Sequence, residues 1–107
     1  MPVITKELTD YKVTHYSRDS TNRVHLIQGL CKGSYEAYFN FYPDSATLQN
    51  NFLDSSGRIY LNFHESQFLA VMETLREESP VFAKLNDQSF VGWVSTGVED
   101  IGEEEGS

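Results

Sequence analysis

The stretch RIYLNFHESQFLAVMETLREE, Arg58 to Glu78, decides how the rest of the chain is read. Its first third alternates: Ile59, Leu61 and Phe63 point one way, Tyr60 and Asn62 the other. That is a strand with one buried face. The period then changes. Phe68, Leu69, Val71, Met72 and Leu75 follow helical spacing and fall within an arc of roughly 160°. Fully burying these side chains would contribute about 7–15 kcal/mol as an upper bound. The sequence therefore predicts an amphipathic helix beginning near Glu65, with His64 or Asn62 as N-cap. Pro80 prevents its continuation.

Working outward, the flanking segments read as strands and turns. Tyr11–Ser17 and Arg23–Leu30 form a hairpin about the polar turn 18–22. Ser34–Tyr42 is the strongest strand of the first half. Its spacing puts Tyr35, Ala37, Phe39 and Phe41 on one face and Glu36, Tyr38, Asn40 and Tyr42 on the other. Pro43 ends it. The connection 44–57 tucks Leu48, Phe52 and Leu53 back into the core, and 54–57 is a turn. Residues 80–86 and 90–96 make a second hairpin around Asn86–Ser89. Residues 1–10 have no clear pattern and read as a lead-in strand or a frayed end. The expected fold is α+β: a single, mainly antiparallel sheet of about five to six strands, covered on one face by one helix, in the order ββββ-α-ββ. Residues 1–97 are expected to form the domain and 98–107 an acidic tail, and deleting Gly102–Ser107 should leave stability almost unchanged.

The 107 residues suffice for one hydrophobic core. No apolar run reaches the roughly 18 residues of a membrane span, and the N-terminal residues lack the pattern of a signal peptide. The lone Cys31 allows no internal disulfide, which fits a reducing, cytoplasmic setting. The net charge of −8 is uneven: +1 over residues 1–42, −4 over 43–97 and −5 over 98–107. Such acidity disfavours non-specific polyanion binding and anionic membranes.

No motif carries catalysis. His64-Glu65 opens like a zinc-protease helix, but Phe68 stands where the second histidine ligand is required. His15 and His25 lie on neighbouring strands and can approach each other, but no third ligand is signalled. Cys31 has no histidine placed beside it. Glu73, Glu77 and Glu78 read as a solvated helix face, and the glycines form no phosphate-cradling loop. The expectation is a non-enzymatic domain without catalytic, cofactor or metal residues and without a cofactor.

The distinctive feature is aromatic. Tyr38, Tyr42 and Tyr60 share the parity opposite the core and form the expected interface, since tyrosines on a sheet face suit protein contact. The first reading is therefore a binding domain acting through that face, as a homodimer or with another protein partner. The same tyrosines would suit single-stranded nucleic acid if Lys12, Arg18, Arg23, Lys32 and Arg58 surrounded them. Over Tyr11 to Glu78 the order of four strands and a helix resembles the Whirly-type single-stranded DNA-binding domains. That resemblance implies nucleic-acid binding by a dimer or higher oligomer. An enzyme with an unrecognised site is the remaining alternative.

Overall fold

The computed structural model describes residues 3–17 and 20–97. They form eight strands, a 3-10 turn and one helix: β1 (Val3–Leu8), β2 (Asp10–His15), β3 (His25–Cys31), β4 (Ser34–Tyr42), β5 (Phe52–Leu53), β6 (Ile59–His64), the turn Glu65–Gln67, α1 (Phe68–Glu77), β7 (Val81–Asn86) and β8 (Gly92–Thr96). The chain is α+β, but the strands divide between two sheets rather than one. The larger runs β2-β3-β4-β6-β5 and the smaller β1-β7-β8. Every pairing is antiparallel except β4 with β6, which is parallel.

The two sheets face each other across the core. From the larger sheet come Ile27, Ala37, Phe39, Phe41, Ile59 and Leu61; from the smaller, Leu8, Val81, Ala83 and Leu85. The alternation in β7 is complete, with every second residue buried, as for a strand with one core face. Two glycines permit the close approach. A Cβ at Gly29 would meet the Leu8 methyls at 2.8 Å, and one at Gly92 would press directly on Leu61 Cδ2.

The smaller sheet, not the helix, is the principal cover. A ten-residue helix is only about 15 Å long, too short to roof five strands spaced at about 4.8 Å. In α1 only Leu75 is buried. Phe68, Val71 and Met72 are half-buried against the edge of the core, and Leu69 is 75% exposed. The helix therefore packs loosely, at one end of the sandwich. Residues 3–8, patternless in sequence, supply an edge strand whose partner lies near the other end of the chain, with Val3 opposite Asn86. Phe52 and Leu53 do not tuck inward. They form the short edge strand β5 and remain exposed. The acidic segment 98–107 lies outside the described residues, and among those described no helix is long and apolar enough to cross a membrane.

Candidate functional site

The outer face of the larger sheet, away from the smaller one, carries the tyrosines. The parallel register sets Tyr38 beside Tyr60, Asn40 beside Asn62 and Tyr42 beside His64. Tyr38 and Tyr60 are stacked, with centroids 4.8 Å apart. Phe52 on β5 pairs with Tyr60 and stacks on its other side at 4.4 Å, the planes only 7° apart. Tyr35 completes the row, 6.2 Å from Tyr38 and 12° from parallel. The result is a row of four stacked rings across three strands, the Tyr38 and Tyr60 planes tilted by 29°. Tyr42 lies further along β4 beside His64 and is not part of the row.

Two members were hidden from the sequence. Strict alternation places Tyr35 with the core residues. A β-bulge intervenes: Leu30 faces Tyr35 and Gly29 faces Ala37, leaving Glu36 as the extra residue. The parity flips there, and Tyr35 joins the tyrosine face. Phe52 was missed because a two-residue strand leaves no periodic trace.

The turn before β6 locks the row in place. Asp54 Oδ1 accepts from the backbone N–H groups of Ser56 and Arg58, both at 2.9 Å. Arg58 Nε lies 3.3 Å from Asp54 Oδ2, and Arg58 Nη1 donates to the Tyr38 hydroxyl at 3.3 Å. The Arg58 backbone N–H above all, then burial acting oppositely, sets the Asp54 carboxyl, with a net lowering of its pKa. The hydrogen bond to Tyr38 raises that of Arg58. Burial, then the neighbouring Asp54 carboxylate, raises Tyr60.

Beyond the row the outer face is partly occupied. Asn62 Nδ2 donates to the carbonyls of Gln49 and Asn50 at 3.1 and 3.2 Å, and its backbone N–H donates to Asn51 Oδ1 at 2.7 Å. His64 Nε2 lies 2.9 Å from the Ala46 carbonyl. These bonds draw the 46–51 connection over β6. Arg23 donates to Asn40 Oδ1 at 2.9 Å and to the Tyr16 hydroxyl at 3.2 Å, its guanidinium 4.8 Å over the Tyr16 ring.

The basic residues do not converge on the tyrosines. Lys12 is exposed and shares the transverse row of Gln28 and Tyr38. Arg58 touches the rings but is neutralised by Asp54. Arg23 is engaged at Asn40, and Lys32 sits in the β3–β4 turn with its backbone N–H on Thr9 Oγ1. Arg18 lies outside the described residues. Lys6, from the smaller sheet, is 3.5 Å from Glu36.

A second cluster lies at the opposite, helix-covered side. His15 and His25 face each other across β2 and β3, their Nδ1 atoms 2.8 Å apart. Phe68 packs on both rings. Among the described residues no group of three or more His, Cys, Asp or Glu side chains could hold a metal ion.

Compared with protein-family models, with curated proteins and with solved structures, the chain matches none of them.

Proposed function

We propose that this protein is a non-catalytic binding domain that docks a protein partner on the row Tyr35–Tyr38–Tyr60–Phe52. One observation carries the reading: the rings are stacked on one another. Both π-faces of Tyr60 are covered by close neighbours, Phe52 at 4.4 Å and Tyr38 at 4.8 Å, and Tyr38 has one face covered in the same way. Bases bind such platforms by stacking on a free ring face, and Tyr60, at the centre of the row, has none to offer. What the row presents outward is ring edges, an apolar ridge held by Asp54 and Arg58. A rigid ridge with a polar margin suits a protein surface and is ordered before binding, at little entropic cost. The near balance of charge around it, with Arg58 paired to Asp54, points the same way.

The test is a photo-crosslinking side chain at Tyr35, with one at Glu73 on the exposed helix face as control. A protein joined only at the first site should bind again when purified. Its Kd should rise at least about tenfold in Phe52→Glu, which places a charge at the end of the row. It should change little with salt. Adducts equally frequent at both sites would overturn the reading. So would oligonucleotide affinity that falls steeply with salt and is lost in Phe52→Glu.

A further inference from the structure

The free edge of the smaller sheet carries another surface, independent of the tyrosine row. β8 is the last strand in the order β1-β7-β8. Its ends fix its hydrogen-bond phase: the Asn86 N–H donates to the Val91 carbonyl at 2.8 Å, and the Gly97 N–H to that of Pro80 at 3.1 Å. Both bonds continue the register that sets Lys84 opposite Trp93 and Phe82 opposite Ser95. In an antiparallel ladder such bonded pairs recur at every second residue. Trp93 and Ser95 therefore turn their main-chain groups toward β7, while Gly92, Val94 and Thr96 turn theirs away. Among the described residues no strand meets them.

Natural sheet edges are blunted by charge, proline, a bulge or shortness. The other three edges conform. β1 carries Lys6 and Glu7, β2 carries Asp10 and Lys12, and β5 is two residues long. β8, Gly-Trp-Val-Ser-Thr, has no charge and no proline.

The geometry points to β8 as the pairing edge for a second copy of this chain, antiparallel about a two-fold axis at Val94. The sequence is self-complementary in that register. Val94 meets its counterpart in the partner, Gly92 meets the partner's Thr96, Trp93 meets the partner's Ser95, and Val91 meets the partner's Gly97. Each large side chain off the axis falls opposite a small one. The two small sheets would become one of six strands. A stable interface needs about 800 Å² per partner, more than a short strand provides. Phe90, Val91 and Trp93, 44%, 57% and 37% exposed, supply further apolar area beside it. Closed two-fold pairs are also the commonest assembly.

The experiment is sedimentation equilibrium of the whole chain up to about 100 μM, with backbone hydrogen exchange at the same concentrations. The wild type should weigh as two 12.2 kDa chains, with the Val94 and Thr96 amides protected in proportion to the dimer. Trp93→Lys adds the missing edge charge at an exposed position and should weaken pairing at least about tenfold. Thr96→Pro removes an outward N–H without touching the β7 ladder and should do the same. Phe52→Glu should leave pairing intact, which separates this inference from the tyrosine-row reading. A monomeric wild type, freely exchanging Val94 and Thr96 amides in a dimer, or a dimer lost in Phe52→Glu but kept in Trp93→Lys overturns it.

Discussion

His25 shows how one side chain couples the fold to pH. With two Nδ1 atoms 2.8 Å apart, one ring must donate and the other accept, so the pair is comfortable with one shared proton and not with two. Burial first, then the neighbouring His15, lowers the pKa of His25 from its ordinary 6.5, while Glu65 opposes them. The unfolded chain thus binds more protons below about pH 6.5 than the folded one, and stability falls as pH drops through that range. The effect should be under about 1 kcal/mol, since the pair is largely exposed and screened by water. Thermal melts at about pH 7.5 and 5.5 should show the loss in the wild type and a smaller one in His25→Gln; equal losses would leave the pair without a role. Asn62 also concentrates local structure in one residue, though without any pH dependence: its amide holds two loop carbonyls and its backbone N–H an asparagine oxygen. Asn62→Ala should cost about 1–3 kcal/mol in urea melts, the usual toll of abandoned polar groups.

Among the elements, α1 divides its apolar residues unequally. Leu75→Ala should cost about 2–5 kcal/mol, whereas Leu69→Ala should stay within about 0.5 kcal/mol; chemical denaturation of both variants checks the facing. Gly92→Ala should also destabilise, by about 1–3 kcal/mol, because its Cβ would press on Leu61. The helix, the β6 alternation and the β7–β8 hairpin were legible because each carries a long local period. The β4 faces were legible as far as Ala37 and no further, since the bulge at Glu36 alters parity without altering composition. β1 was not legible. Its inward parity includes Lys6 as well as Ile4 and Leu8, and its strand character comes from pairing with β7 rather than from its own residues. The same holds for the site. Tyr38 and Tyr60 were visible as outward tyrosines on adjacent strands, but Tyr35 and Phe52 depended on a bulge and on a two-residue edge. Tyr42 has the right parity and the wrong position along the strand.

At the scale of the whole molecule, the feature with the longest reach is the distance in sequence between each core face and its cover. The larger sheet is complete at His64, while β7 and β8 arrive only with residues 81–96. β1 is made first, yet its register partner is among the last strands. A ribosome adding about 5–20 residues per second leaves Ile27, Phe39, Phe41 and Leu61 uncovered for seconds while the remaining strands clear the exit tunnel. During that interval the nascent sheet is a sticky, half-built surface with a waiting N-terminal strand. Exposed apolar faces and unpaired strand edges of this kind are what make partly folded chains prone to aggregation.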